Sequence, residues 1–129
     1  MIVVDCAAVV DALTGLDGAD DLRAFLAGEE LSAPTLLDFE VVSTLRGLTL
    51  RGKLSAARAE DVLTDFDDLE VRRWPSGDSL RRRAFQLRDK VSAYDAAYVV
   101  LAEALNCPLV TRDIRLARSS GHLVRIEVR

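Results

Sequence analysis

Three consecutive apolar residues, Ile2, Val3 and Val4, run straight into Asp5 near the start of the chain, and Leu109, Val110 and Thr111 later run up to Asp113. Short runs rich in β-branched residues read as strands buried on both faces. Between them the pattern changes to helical spacing. Residues 7–13 predict a short helix stopped at Thr14-Gly15, and residues 17–26, beginning at Asp17, predict a second with Leu22, Phe25 and Leu26 on one stripe and Gly28 as its stop. Residues 30–33 predict a strand ended by Pro34, followed by Thr35-Leu-Leu-Asp38, in which Thr35 is expected to cap a helix and Asp38 to reach back to its free amides. That helix carries Leu36, Leu37, Phe39, Val41, Val42 and Leu45, too apolar for a surface helix, and holds Glu40 in its first turns. Gly52 is its expected end.

The second half repeats the alternation. Ser55 opens a helix through residue 66 with Val62, Leu63 and Phe66 inward, and residues 69–74 predict a strand ended by Pro75. A helix from Asp78 or Ser79 would turn Leu80, Ala84 and Leu87 inward. Ser92-Ala-Tyr-Asp95 is a second capping signature, opening a helix that ends at Asn106. A helical turn over residues 114–118 is closed by Gly121, and residues 123–128 alternate as an edge strand would. Strands alternating with helices imply an α/β fold with a parallel sheet and right-handed crossovers.

Composition narrows this to one domain over residues 1–129. The chain is 50% hydrophobic and 29% charged, which suits one compact core. Asp5 and Asp11 interrupt the only apolar stretch that could imitate a targeting segment, and no run approaches the roughly 18 apolar residues of a membrane span. A cytoplasmic protein without membrane contact is expected. Cys6 follows one strand while Cys107 precedes another, so in a parallel sheet they lie at opposite ends and form no disulfide.

Four acids stand out in that frame: Asp5, Glu40, Asp95 and Asp113. Each has a plain structural reading. Asp95 and Asp113 would serve as capping residues, and Glu40 would pair with an arginine such as Arg46. Together they point elsewhere, because open α/β folds place ligands at the carboxyl ends of their strands. Several carboxylates at one edge repel one another unless a cation sits between them. Mg²⁺ and Mn²⁺ prefer carboxylate oxygen, whereas the lone histidine, His122, sits beside Gly121 and reads as a solvated loop residue, which disfavours zinc. An acidic metal site without a phosphate-cradling glycine loop suits phosphodiester hydrolysis.

At these residues the chain resembles the PIN-domain nucleases, and within them the VapC toxins of bacterial toxin-antitoxin pairs. The resemblance is carried by Asp5 in its apolar strand, Glu40 in Pro34-Thr-Leu-Leu-Asp-Phe-Glu40-Val-Val, Asp95 in Ser92-Ala-Tyr-Asp95-Ala-Ala-Tyr-Val, and Asp113 in Leu109-Val-Thr-Arg-Asp113. It spans essentially the whole chain. It implies a five-stranded parallel sheet in order 3-2-1-4-5 flanked by helices, and Mg²⁺- or Mn²⁺-dependent endoribonuclease activity on RNA. It further implies a homodimer and a VapB-like antitoxin whose C-terminal segment threads over the site. Carried over, Asp5, Asp95 and Asp113 would hold metal, Glu40 would complete the acidic cluster, and Thr111 would support it by hydrogen bonding. Many relatives have a hydroxyl residue two places after the first aspartate, where Cys6-Ala7-Ala8 offers none.

Charge adds one feature. The chain carries −4 overall, yet residues 72–90 carry +5 and the remainder −9. That stretch is either a solvated helix face or a track for an RNA backbone. Other readings lack a residue they need. A phosphoacceptor receiver wants an acid after the third strand, which ends Arg72-Arg-Trp-Pro75, and a haloacid-dehalogenase-type phosphatase wants a second Asp where Ala7 stands. From a different class, the alternative is a catalytically weak PIN fold kept for protein binding.

Overall fold

In a computed structural model, which describes residues 1–16 and 18–129, the alternation of the sequence becomes one sheet with helices around it. The elements are β1 (Ile2–Val4), α1 (Cys6–Thr14), α2 (Asp20–Ala27), β2 (Leu31–Pro34), α3 (Leu36–Leu50) and α4 (Ala56–Asp68), then β3 (Val71–Trp74), α5 (Asp78–Gln86), α6 (Ala93–Leu105), β4 (Leu109–Thr111), α7 (Ile114–Ala117) and β5 (Ile126–Val128). All strand pairs are parallel and their order is β3-β2-β1-β4-β5, as the resemblance implied. β1 therefore lies at the centre. Val3 is in register with Ser32 and Leu109, and Val4 with Val110, so Asp5 and the end of β4 emerge at the same edge.

The core explains why β1 and β4 are apolar throughout. Val3, Val4, Leu109 and Val110 have no exposed surface, because α1 and α3 cover one face and α6 crosses the other. α6 has the longest inward run, with Tyr98, Val99, Val100, Leu101 and Ala102 all buried. Ends follow the expected stops: Gly15 terminates α1 at φ +66° and Asn106 terminates α6 at φ +51°, both left-handed conformations that bulky residues avoid. Cys6 and Cys107 are both free thiols. Among the described residues no helix is long and apolar enough to cross a membrane.

Several expectations need correction. The expected start of the second helix at Asp17 lies outside the described residues, and α2 begins at Asp20. β3 begins at Val71 rather than residue 69, since α4 continues to Asp68. β5 forms only from Ile126, and Leu123 is almost wholly exposed; of the residues before the strand, Arg125 offers its carbonyl to the Leu109 amide of β4. α3 is a surface helix after all: Leu37, Val41 and Leu45 are buried on one stripe, whereas Phe39, Val42 and Leu50 face solvent. His122 is a structural clasp, its Nε2 paired with the Ser119 hydroxyl at 2.8 Å and its Nδ1 accepting from the Val124 amide.

Candidate active site

The carboxyl edge of the sheet opens into a cleft of about 570 Å³, and all four acids line it: Asp5, Glu40, Asp95 and Asp113. Asp5 is delivered by β1, where the chain turns directly into α1. Its side chain caps that helix, one oxygen accepting from the Ala8 amide at 3.0 Å, while the other accepts a short hydrogen bond from the Thr111 hydroxyl at the end of β4. Thr111 is fully buried, and its oxygen in turn accepts from the Asp113 amide at 2.9 Å. One threonine thus ties the Asp5 side chain to the backbone that carries Asp113. The support expected of Thr111 is present.

Asp113 caps α7, accepting from the Arg115 amide at 2.8 Å, with the Arg115 guanidinium 3.4 Å away. Burial pushes its carboxyl up, but those Arg115 contacts outweigh burial and leave it below the usual range. Asp5 goes the other way. With 8% of its surface exposed, it is pushed by burial up to about 6, against the lowering by Thr111 and Ala8, and the charges of Asp95 and Asp113 raise it further.

Glu40 and Asp95 come from the helices on either side. Glu40 lies one turn into α3 and accepts from the Tyr98 hydroxyl at 2.5 Å, so the expected pairing with Arg46 gives way to a tyrosine on α6. Burial, together with the charge of Asp95, raises the Glu40 carboxyl against the lowering hydrogen bond of Tyr98. Tyr98 itself is 2% exposed and its phenol is raised, mainly by burial. Asp95 stands in the first turn of α6 behind Ser92, whose hydroxyl oxygen accepts from the Asp95 amide at 3.2 Å. No hydrogen bond or ion pair joins the Asp95 carboxylate to another described residue, and it faces the cleft.

The remaining lining refines the picture. Cys6 contacts the Thr44 hydroxyl at 3.4 Å, and its burial pushes the thiol up to about 11, which makes it a packing group rather than a nucleophile. Ser43 and Thr44, three and four residues after Glu40 on the same helix face, also line the cleft. Arg112 pairs with Asp11 of α1 at 3.0 Å and donates to the Arg129 carbonyl, fixing the loop between Thr111 and Asp113. Tyr98, Ser43, Thr44 and Arg112 were not singled out from sequence. Tyr98 was within reach of it, since it follows Asp95 by three residues and shares its helix face.

Chemically, the donor set is oxygen alone, with carboxylates that feel one another's charge. Such donors fit a hard divalent cation. No three His, Cys, Asp or Glu side chains among the described residues are close enough to grip one ion, so the acids stand spaced around the cleft.

Known proteins share the sequence and fold of this chain. The PIN domain family model matches residues 2–121. Ribonuclease VapC9 of Mycobacterium tuberculosis is 46% identical over 117 residues, covering 91% of this chain and 89% of the relative. Ribonuclease VapC12 of the same organism is 39% identical over 128 residues, covering 99% and 98%. In fold, the chain is similar to the crystal structure of VapBC2 from Rickettsia felis bound to a DNA fragment from their promoter, with a TM-score of 0.67, 14% identity, and coverage of 99% of this chain and 98% of that one. A parallel sheet in order 3-2-1-4-5, four acids gathered at its carboxyl edge, and relatives matched almost end to end lead to one conclusion: the chain belongs to the PIN-domain family, and within it to the VapC ribonucleases.

Proposed function

We propose that the protein is the toxin of a toxin-antitoxin pair, a metal-dependent endoribonuclease that hydrolyses RNA phosphodiester bonds from a single PIN domain spanning residues 1–129. The observation that carries this reading is the shared cleft: Asp5, Glu40, Asp95 and Asp113 reach it from four different elements or their edges, and no described residue bonds the Asp95 carboxylate. In this reading Asp5, Asp95 and Asp113 hold Mg²⁺ or Mn²⁺, directly or through water. When bound, such an ion polarises the scissile phosphate and stabilises charge on the leaving oxygen.

The chain's own residues do the rest. Thr111 fixes the Asp5 carboxylate and the Asp113 backbone relative to each other, so two of the acids keep their spacing whether or not the site is occupied. Glu40 is held by Tyr98 and its carboxyl is raised by burial, which makes it a better base for accepting the proton of the attacking water. Water adds to phosphorus, the bond to the leaving oxygen breaks, and that oxygen takes up a proton.

A VapB-like antitoxin is the partner this chemistry requires, because an exposed ribonuclease site needs to be masked, and a basic side chain placed among the acids would do so. A homodimer follows from the same resemblance, and the solvent-facing Phe39, Val42 and Leu50 of α3 offer an apolar strip for a partner to cover. The protein would act in the cytoplasm, where its RNA lies.

Purified protein incubated with single-stranded RNA, in Mg²⁺, in Mn²⁺ and in chelator, tests the reading. Cleavage with either metal, absence with chelator, and loss in Asp95→Asn are the expected results. Metal-independent activity, or Asp95→Asn equal to wild type, contradicts it and favours a binding module without catalysis.

A further inference from the structure

The basic stretch from Arg72 to Lys90 divides in the structure. Arg73 is paired with Asp38 at 3.0 Å, and Arg83 is held by Glu103 at 2.7 Å, so those two arginines serve the fold. Arg72, Arg81, Arg82 and Arg88 have no carboxylate within ion-pair range among the described residues. Among the described residues, Arg81 hydrogen-bonds to Ser76, and Arg88 donates to the Phe85 carbonyl and lies over its ring. Their charge is left uncompensated.

Two of these arginines, Arg81 and Arg88, border a second groove, about 620 Å³, between α5 and α6. Its floor includes Trp74, Leu80, Ala84 and Val100, and Phe85 and Tyr94 stand on its walls. The exposed aromatic rings described for this molecule are Phe39, Phe85 and Tyr94, at 78%, 67% and 65% exposure. They are not scattered. Phe39 lines the acidic cleft, Phe85 lines the groove, and Tyr94 lines both, one residue before Asp95. Groove and cleft therefore meet at Tyr94.

We infer that the α5–α6 groove is the docking track for single-stranded RNA leading into the acidic cleft, with Tyr94 and Phe85 as stacking platforms and Arg81 and Arg88 as phosphate contacts. The inference rests on the ribonuclease reading and adds to it the surface by which substrate is held. A positive groove interleaved with exposed rings is the arrangement that grips single strands, because every base has a face to stack and every linkage a charge to neutralise. It also answers the net charge of −4: attraction is local to this side, next to acids that would otherwise repel the strand.

The test uses full-length wild type, Tyr94→Ala and the double variant Arg81→Ala/Arg88→Ala with a mixed-sequence RNA oligonucleotide of about 12 nucleotides. Binding is measured in chelator, where no cleavage interferes, across a salt series, and oligomeric state and melting temperature are measured alongside. Tyr94→Ala should weaken binding roughly tenfold. The arginine pair should lower the slope of log affinity against log salt by about 1.4, as loss of two single-strand phosphate contacts requires. With metal, KM should rise while kcat changes little, and melting should be unaltered because all three side chains are exposed. Wild-type affinity and salt slope in both variants would overturn the track. So would unchanged RNA binding with an altered oligomeric state or loss of binding to an antitoxin, which would make the groove a protein interface. If wild type cleaves RNA and the variants match it in KM, the track alone fails. If wild type neither binds nor cleaves RNA, the ribonuclease reading falls with it.

Discussion

The starts of α3 and α6 carry the same signature, a hydroxyl residue followed three positions later by aspartate, and the structure uses them in opposite ways. At α6, Ser92 has extended backbone (φ −63°, ψ 160°) and its hydroxyl oxygen caps the Asp95 amide. At α3, Thr35 is already helical (φ −56°, ψ −25°), its amide is held by the Trp74 carbonyl of β3, and its side chain caps nothing. An N-cap needs the extended conformation to swing its oxygen over the first turn, and Thr35 has lost it to the strand exit. The aspartates diverge accordingly. Asp38 is bound by Arg73, whereas the Asp95 carboxylate has no hydrogen-bond or ion-pair partner among the described residues and faces the acidic cleft. Sequence spacing alone does not separate a structural aspartate from a functional one. The neighbour across the fold does.

The largest effect that would break or sharpen this contrast is on turnover. Asp95→Asn should lower RNA cleavage by roughly 10²–10³-fold, the scale of losing one charge-stabilising group. Asp38→Asn should leave the rate near wild type, as measured by initial rates on a fluorescent RNA.

Next in size is the pH dependence of stability. Asp5 is raised from 3.8 to about 6 in the fold, so the native state holds its proton where the unfolded chain has released it. Its contribution is complete below pH 4 and is lost as pH climbs through 6, a penalty on the order of 2 to 3 kcal/mol at neutral pH without metal. Asp5→Asn keeps an oxygen for the Ala8 amide and cannot ionise. The stability difference between Asp5→Asn and wild type should therefore grow in the variant's favour from pH 4 to pH 7. Denaturant titrations in chelator at both ends of that range check it, and a difference that stays flat would contradict the burial argument.

Smaller effects separate the two caps. Ser92→Ala should cost about 1 kcal/mol, and Thr35→Ala should cost almost nothing through capping. Loss of the Asp38 pair should cost less than about 1 kcal/mol, because both side chains are partly exposed and water screens them. Equal losses at Ser92 and Thr35 in thermal melts would mean that the two helix starts are alike after all.

Much of this is legible in the sequence. Buried parallel strands are written in residues that need no context, so β1 and β4 follow from their apolar runs, and the glycine and asparagine stops follow from backbone freedom. The four acids were legible because strand ends and helix starts in such a sheet converge on one edge. What escaped was pairing. Glu40 meets Tyr98 rather than Arg46 because the first turns of α3 and α6 both reach the cleft at the carboxyl edge of the sheet, and Asp38 meets Arg73 because β3 lies beside β2. The solvent face of α3 escaped for the same reason: Phe39 and Val42 have the composition of a core, and only the absence of a covering element in the fold exposes them.

The central proposal, that Asp5, Asp95 and Asp113 share one cation site and Asp38 has no part in it, is tested most directly by melting wild type, Asp95→Asn and Asp38→Asn with chelator and with Mg²⁺ or Mn²⁺. At about 100 times the dissociation constant, metal should add roughly 2.7 kcal/mol to wild type and to Asp38→Asn, with little gain in Asp95→Asn, which without metal should be at least as stable as wild type. An Asp95→Asn protein that melts well below wild type in chelator and keeps the full metal response would contradict the claim and make Asp95 a helix cap like any other.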